Sequence, residues 1–294
     1  MSTVRPVKRL ALIGVGLIGG SWVLGLRRAG LVDTVVGCGR STANLDTARE
    51  RGIIDDATTD PREAVRGADV VVVAVPLGAM GPVLATVRDD LAPGAVITDV
   101  GSAKATVLAD AAEALGEHSA RFVAGHPIAG NEKSGAVAAF PELFHDRRVI
   151  LTPEESTDAA AVERVAELWQ AVGASVARMS AAHHDDVLAA TSHLPHMLAY
   201  SLVDTLSRWS DRDEVFAYAA GGFRDFTRIA SSDPEMWRDI CLANRDALVV
   251  AMDRYMADLA ELREQVRAGD ATALENLFRH ARDTRDRFMA TLES

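Results

Sequence analysis

A histidine and a serine that each follow a predicted strand have the chemistry of a proton-transfer site. His126 follows the apolar run "RFVAG" and precedes Pro127, which fixes the turn, and Ser102 follows the run "AVITDVG". An imidazole with an unperturbed pKa of about 6.5 suits removal of a proton from an alcohol. The Ser102 hydroxyl could hydrogen-bond that alcohol or orient the histidine. A lone histidine at a strand end is often structural, so the neighbouring motifs decide between the two interpretations.

A glycine pattern near the N-terminus predicts a dinucleotide site. Gly14, Gly16 and Gly19 form G-x-G-x-x-G directly after a predicted strand and at the start of a predicted helix. The first glycine permits a tight turn, the second lets the backbone approach a pyrophosphate, and the third lets helix and strand pack closely. Leu17 and Ile18 begin the helix whose N-terminus faces the phosphates. We therefore expect all five positions to bind the cofactor.

The end of the second predicted strand departs from the usual dinucleotide pattern. A carboxylate there normally binds the adenosine ribose and would repel a 2′-phosphate, but "VVGCGRST" contains no Asp or Glu. Gly39 removes the repulsion, Arg40 supplies a cation and Ser41 supplies a hydroxyl. This favours NADP, and NAD is the alternative if Arg40 is only a solvated surface cation. Beside either cofactor, His126 would accept a hydroxyl proton as hydride leaves the same carbon.

These residues require an α/β scaffold. From residue 9 to about residue 180, β-branched runs alternate with helical stretches, which predicts a doubly wound parallel sheet. The predicted strands are "RLALIGV", "TVVGC", "DVVVVAVP", "AVITDVG", "RFVAGHP", "RRVILTP" and "SVARM". Beyond this point apolar residues recur only at helical spacing. We expect a dinucleotide-binding domain over residues 1–180 and an all-helical domain over residues 181–294, whose helices pack on each other or on a second copy.

The amino-acid composition limits the classes of partner and the cellular compartment that we expect. Asp and Glu number 42 against 31 Lys and Arg, a net charge of -11, which argues against nucleic acid or anionic membrane as a partner. No apolar run approaches the length of a membrane span, and the N-terminus does not resemble a signal peptide. The two cysteines, Cys38 and Cys241, show no metal or dithiol spacing. We expect a cytoplasmic protein that acts on a small molecule.

Four segments together resemble one family. "DVGSAK", "GHPIAGNEKSG", "SHLPH" and "GGFRDFTRIA" occur in this order and are similar to the signature segments of the prephenate/arogenate (cyclohexadienyl) dehydrogenases of tyrosine biosynthesis. The resemblance covers nearly the whole chain. It implies a Rossmann-type domain followed by an all-helical substrate-binding and dimerisation domain, a homodimer, and an active site in the cleft between the domains. It also implies oxidative decarboxylation of prephenate or arogenate with hydride transfer to NAD(P)+.

The same resemblance implies roles for individual residues. His126 accepts the proton of the ring C4 hydroxyl, Ser102 hydrogen-bonds substrate and histidine, and Arg228 binds a substrate carboxylate. The remaining implied substrate-pocket residues are His196, with Ser192 nearby, and Asn131 and Glu132 in a loop that closes over the substrate. Many relatives carry Thr or Ser at the position of Asn131. The chemistry agrees for Arg228, since an acidic protein needs a local cation to hold a carboxylate, whereas Arg224 could equally be solvated.

Other readings of the same residues remain open. Another helical-tailed Rossmann dehydrogenase, of β-hydroxyacid or imine type, or an NADP sensor without turnover would share the glycine loop. "HHDD" at residues 183–186 has metal-ligand side chains, but adjacent residues on a helix point apart, so we expect no metal. The sequence ends soon after the helical segment, so we expect no appended regulatory domain and expect any tyrosine inhibition to be competitive.

Overall fold

The computed structural model describes residues 4–130 and 133–292. A six-stranded parallel sheet lies at the centre, with strand order β3-β2-β1-β4-β5-β6. Its strands are β1 (Val7–Ile13), β2 (Val32–Cys38), β3 (Asp56–Thr58), β4 (Val70–Val73), β5 (Val96–Asp99) and β6 (Phe122–Val123). The order reverses between β1 and β4, which is where open sheets of this kind bind ligands.

Helices cover both faces of this sheet. They are α1 (Leu17–Arg28), α2 (Thr42–Glu50), α3 (Pro61–Val65), α4 (Met80–Val87), α5 (Ala105–Leu115) and α6 (Ala159–Ala171). All four valines of β4 are buried. Val70 and Val72 belong to one core cluster with Trp22 of α1, and Val71 and Val73 belong to the opposite cluster. The expectation that this run forms a central strand covered on both sides is confirmed.

The structure corrects the prediction that all the runs form one sheet. The run "RFVAGHP" divides into β6 and a separate strand, β7 (Gly125–Pro127), which pairs antiparallel with β8 (Arg148–Leu151). Strand β8 pairs parallel with β9 (Ser175–Arg178), so these three strands form a second sheet. The short strand β3 was also missed, because three residues show no period. His126 therefore lies on β7, in the smaller sheet.

Only helices follow β9 in the part of the chain that the structure describes, as predicted. They are α7 (Ala181–Leu188), a π-helical turn (Ala189–His193), α8 (Leu194–Ser207), α9 (Arg212–Ala217), α10 (Gly221–Thr227), α11 (Pro234–Ala243), α12 (Arg245–Ala268) and α13 (Ala271–Leu292). One compact unit runs past residue 180 to Arg245, so α7 to α11 belong to the same unit as the sheet. A second unit begins at Asp246. Within the described residues, no helix is long and apolar enough to cross a membrane.

Candidate active site

The glycine loop between β1 and α1 has the geometry that a dinucleotide requires. Gly14 has φ of +92°, and a Cβ there would lie 2.3 Å from the carbonyl oxygen of Ala74, so no other residue fits. A Cβ on Gly19 would lie 2.6 Å from Cδ1 of Leu12, because helix and strand are closely packed. A Cβ on Gly16 would meet nothing within 4 Å. Two glycines therefore permit the turn and the packing, and the third leaves open space beside the backbone.

The N-terminus of α1 is free to bind phosphate. Gly16 is the N-cap residue, and among the described side chains none caps this helix and none in its first turn is acidic. The backbone N–H groups of Leu17 and Ile18 lie in this first turn, where a helix offers no acceptor of its own. They can donate to a pyrophosphate, and the helix dipole favours its negative charge. These residues fit a nicotinamide dinucleotide, as predicted from the spacing.

The three predicted ribose-side residues follow β2. Arg40 is exposed, and Ser41 is the N-cap of α2, where its Oγ accepts a hydrogen bond from the backbone N–H of Asn44 at 3.2 Å. A Cβ added to Gly39 would meet only the Leu45 side chain, at 3.5 Å, which is an ordinary van der Waals contact. Gly39 is therefore not required by backbone geometry or by space.

Asn44 connects the glycine loop to the segment that follows β7, and the sequence analysis missed it. Its Nδ2 donates to the carbonyl oxygen of Val15 at 2.7 Å, and its Oδ1 accepts from the backbone N–H of Ala136 at 2.8 Å. Gly135, with φ of +80°, lies directly before that contact. No periodicity marks an asparagine in the first turn of a helix, since the two partners are 29 and 92 residues away.

His126 belongs to a hydrogen-bonded chain of three side chains. Its Nδ1 lies 2.9 Å from Nε2 of His184, and Nδ1 of His184 lies 2.7 Å from Oδ1 of Asp185. His126 is 9% exposed and His184 is 0% exposed, so both rings lie almost out of water. Nε2 of His126 makes no hydrogen bond with any described residue. It is the atom available to a substrate.

The sequence analysis named His184 and Asp185 only as members of a rejected metal cluster. His183 and Asp186 are exposed, whereas His184 and Asp185 are buried, so the four side chains do not converge. Within the described residues, no group of three or more His, Cys, Asp or Glu side chains could hold a metal ion. Because neighbours on a helix usually point apart, the sequence analysis missed the hydrogen bond between His184 and Asp185.

A buried ion pair supports the backbone beside His126. Lys104 and Asp99 are both 0% exposed, and Nζ of Lys104 also donates to the carbonyl oxygen of Gly125 at 2.8 Å. Asp99 accepts hydrogen bonds from the backbone N–H groups of Gly101 and Gly125 at 2.7 and 3.0 Å. The motif "DVGSAK" was singled out for its serine, but its first and last residues make these contacts with the residue before His126.

Burial and neighbouring charges set the protonation of these groups. Burial, and then the charges of His184, Lys104 and His193, lower the pKa of His126 well below 6.5, so this imidazole is neutral near neutral pH. Burial alone would raise the pKa of Asp185, but hydrogen bonds from His184 and from the backbone of Ala105 and Lys104 outweigh it, so that the pKa is lowered. Asp185 is therefore an anion, and the His126 imidazole is neutral.

Ser102 lies in the loop after β5 and is half-buried. In the described part of the chain it makes no hydrogen bond with His126, whose Nδ1 is occupied by His184. Its predicted orienting effect on His126 therefore has no contact to support it. A hydrogen bond from Ser102 to the substrate hydroxyl stays a prediction.

The π-helical turn and α8 bring two further histidines to Trp237. The His196 ring stacks on Trp237 with centroids 3.7 Å apart, and its Nδ1 donates to the carbonyl oxygen of Ser192 at 2.8 Å. His193 is 1% exposed and contacts the Trp237 ring edge-on. Asn244 donates from its Nδ2 to Nδ1 of His193 at 3.1 Å. Ser192 therefore contributes a backbone contact, and His193, Asn244 and Trp237 were missed because their partners are distant in sequence.

Burial and neighbouring charges also lower the pKa values of the two histidines in this group. Burial lowers the pKa of His193 to about 4, and the charges of His184 and His196 act in the same direction. Burial lowers the pKa of His196, its bond to Ser192 opposes this, and the Arg228 charge lowers it further. Arg228 itself is exposed, as is Arg224. The predicted Asn131 and Glu132 lie outside the described residues.

A parallel sheet with a dinucleotide loop, placed beside a buried neutral histidine, defines a Rossmann-type dehydrogenase. The model of the prephenate dehydrogenase nucleotide-binding domain matches residues 23–178, and that of the prephenate dehydrogenase dimerization domain matches residues 180–280. The chain therefore belongs to the prephenate dehydrogenase family, which is a family of oxidoreductases. The resemblance inferred from four motifs is confirmed.

Individual relatives agree with this assignment. Cyclohexadienyl dehydrogenase of Zymomonas mobilis is 40% identical over 280 residues, which are 95% of each chain. Prephenate dehydrogenase of Bacillus subtilis is 38% identical, over 94% of this chain and 75% of its own. The crystal structure of Aquifex aeolicus prephenate dehydrogenase with hydroxyphenyl propionate and NAD+ is 35% identical and matches with a TM-score of 0.90, over 96% of this chain and 98% of its own.

Proposed function

We propose that the protein catalyses the oxidative decarboxylation of prephenate, arogenate or both, yielding 4-hydroxyphenylpyruvate or tyrosine, as a step of tyrosine biosynthesis. The observation that carries the proposal is the neutral His126 on β7, whose Nε2 is without a partner among the described residues and whose preceding residue is bonded to Asp99 at the end of β5. The names of the relatives support the substrate class, because they include cyclohexadienyl and prephenate dehydrogenases.

His126 acts as the general base. Its Nε2 accepts the proton of the ring C4 hydroxyl, while Ser102 holds that hydroxyl from the neighbouring loop. The nicotinamide cofactor, when bound, supplies the acceptor for the hydride that leaves C4. Loss of the ring carboxylate as CO2 then restores aromaticity, which makes the reaction effectively irreversible. Burial of His126 supports this role, because it keeps the imidazole unprotonated and keeps bulk water away.

Arg228 and His196 bind the substrate carboxylate end. Arg228 offers a planar guanidinium that can pair with a carboxylate through two hydrogen bonds. His196 is held rigidly by its stacking on Trp237 and its bond to Ser192, and its Nε2 is left as the atom that can face the substrate. We retain Ser192 as a backbone support of this subsite, and Asn131 and Glu132 as candidates for the closing loop.

We propose NADP as the preferred cofactor, with NAD as the alternative. The support is the missing carboxylate at Gly39, the exposed cation of Arg40 beside it, and the space for a phosphate group that a small residue leaves. The Aquifex aeolicus relative was crystallised with NAD+. If this protein prefers NADP, we expect the residues after β2 to determine that preference.

We further propose a homodimer formed through the all-helical domain, with the domain boundary between residues 180 and 181. In support, the first family model ends at residue 178 and the second begins at residue 180, and the second is described as a dimerization domain. Helix α12 carries exposed apolar side chains that a second copy could cover, including Val249, Val250, Met256 and Leu259. A cytoplasmic location is supported by the two cysteines, which are free thiols.

A two-by-two assay tests the function. Each of prephenate and arogenate is combined with each of NAD+ and NADP+, and formation of the reduced nicotinamide is followed by absorbance. We expect turnover with at least one pair, faster with NADP+, and its loss in His126→Gln. The matched control is His183→Gln, since His183 is exposed, and it should retain activity. Absence of turnover with all four pairs would overturn the proposal and favour a cofactor sensor or another dehydrogenase.

A further inference from the structure

The hydrogen bonds that the Asp185 carboxylate accepts determine its protonation state. Its Oδ1 accepts from the backbone N–H of Lys104 at 2.8 Å, and its Oδ2 accepts from the backbone N–H of Ala105 at 2.9 Å. Those two residues begin α5, so Asp185 of α7 caps a helix 80 residues earlier in the chain. A carboxylate that accepts two backbone donors at a helix N-terminus is held as an anion. Nδ1 of His184, 2.7 Å from Oδ1, must therefore be the donor in its contact with Asp185.

The assignment of Nδ1 of His184 as a donor also determines which nitrogen of His126 carries a proton. A neutral imidazole carries one N–H and one lone pair, so a His184 that donates from Nδ1 has its lone pair on Nε2. That lone pair faces Nδ1 of His126 at 2.9 Å, and the contact is a hydrogen bond only if His126 carries its proton on Nδ1. Nε2 of His126 is then unprotonated. For a neutral His184, the direction of every hydrogen bond in the series thus follows from one carboxylate.

The opposite tautomer of His126 would be costly. It would place two lone pairs opposite each other at 2.9 Å between two rings that are 9% and 0% exposed. Buried polar atoms that lose their partner cost about 1–3 kcal/mol each, and water has little access to compensate. The same hydrogen bonds also matter once His126 is protonated, because burial and then the charges of His184, Lys104 and His193 disfavour a positive charge on that ring. The Asp185 anion is the group that offsets them through His184.

We propose that His184 and Asp185 are positioning residues, which hold His126 in its Nδ1–H tautomer and stabilise its protonated form through two successive hydrogen bonds. The proposal rests on the proposed function for its kinetic consequence, since His126 must be the base. The tautomer of His126, in contrast, does not depend on any substrate. Because His184 and Asp185 lie on α7 and His126 lies on β7, the group of three side chains is complete only when α7 packs against the N-terminus of α5.

The first test is kinetic. His184→Phe keeps an aromatic ring but removes both nitrogens, and His184→Gln restores a hydrogen-bond acceptor near the position of Nε2. We expect kcat to fall about 10- to 100-fold in His184→Phe, as for other groups that orient a reacting side chain, and to recover partly in His184→Gln. The KM values for substrate and cofactor should change little. His183→Phe is the matched control, on the exposed side of the same helix. Unchanged kcat in His184→Phe would overturn the proposal.

The second test needs no turnover. Nitrogen-15 NMR of the imidazole groups in the wild-type protein reports which nitrogen of His126 carries the proton, and His126→Gln identifies the signal. We expect the proton on Nδ1 in the wild type, and a shift toward Nε2 in His184→Phe. A wild-type proton on Nε2 would overturn the inference. If the protein turned over no cyclohexadienyl substrate, only the proposed function would fail, because the tautomer is measured separately.

Discussion

Nζ of Lys104 lies 2.5 Å from Oδ2 of Asp99, and neither side chain is exposed to solvent. The two charges are not an isolated pair, because Lys104 also donates to the carbonyl oxygen of Gly125 and Asp99 accepts from its backbone N–H. Gly125 directly precedes His126. The ion pair therefore holds the end of β5 against the backbone that carries the base, and burial lowers the pKa of Lys104 despite the opposing effect of Asp99.

Removal of one member of this pair should destabilise the protein. Lys104→Met leaves the Asp99 carboxylate buried without its cation, and we expect the free energy of unfolding to fall by about 3–5 kcal/mol. The double variant Asp99→Asn with Lys104→Met should recover part of that loss, because it removes the uncompensated charge. Denaturant titration of the two variants measures both values. A double variant less stable than Lys104→Met would contradict the interpretation.

The pH dependence of activity should reflect the depressed pKa of His126. A general base works only when unprotonated, so activity is present above the pKa of His126 and is lost as pH falls through it. Burial and the charge of His184 place that pKa well below 6.5. We therefore expect kcat/KM to remain constant down to pH 6.5 and to fall only at more acidic values. An acidic limb with its midpoint at or above 6.5 in the free enzyme would contradict this.

Gly39→Asp should shift the cofactor preference toward NAD. The added Cβ fits beside Leu45 without strain, and the carboxylate would repel a 2′-phosphate while accepting bonds from a ribose. We expect the KM for NADP+ to rise about tenfold, equivalent to about 1.4 kcal/mol, with a smaller change for NAD+. Gly39→Asn is the matched control, of equal size without the charge. Equal effects of the two substitutions on NADP+ would show that charge at this position does not select the cofactor.

Arg228→Gln should weaken substrate binding more than cofactor binding. Loss of a charge-assisted bond to a carboxylate costs about 1.5–3 kcal/mol, so we expect the KM for prephenate to rise about 10- to 100-fold. Arg224 is also exposed and lies one turn earlier on α10, so Arg224→Gln is the control. Initial-rate kinetics with both substrates measure the effect. Similar KM changes in the two variants would exclude a specific role for Arg228.

His193 should make folding stability dependent on pH in the mildly acidic range. Its pKa falls from 6.5 to about 4 in the folded protein, so folding favours the neutral ring. This contribution is fully present above pH 6.5 and is lost as pH falls toward 4. The corresponding free energy is about 3 kcal/mol. Denaturant titrations at a series of pH values measure it, and His193→Asn, which retains an acceptor for Asn244, should show a smaller loss over the same range.

Local sequence patterns were sufficient for most of the scaffold. Glycine spacing identified the dinucleotide loop, because each glycine meets a steric demand within one strand-loop-helix unit, as the contacts of Gly14 and Gly19 show. The continuous apolar run of β4 identified a strand covered on both faces, and the loss of β-runs after residue 180 identified the helical region. The apolar run before His126 was also a local signal, but the expected strand end and proline turn were wrong, because His126 and Pro127 lie within β7 and pair with β8.

Tertiary structure alone decided how the candidate site is assembled. His126 and His184 are 58 residues apart, and no periodicity indicates which member of "HHDD" faces inward. The pairing of β7 with β8 rather than with β6 likewise depends on a contact between distant segments. Hydrogen bonds such as those that Asp185 accepts from the backbone at the start of α5 form only after α7 has packed. The sequence by itself therefore determined the fold class and predicted the cofactor loop and His126 as the base, whereas long-range packing determined which groups lie against His126.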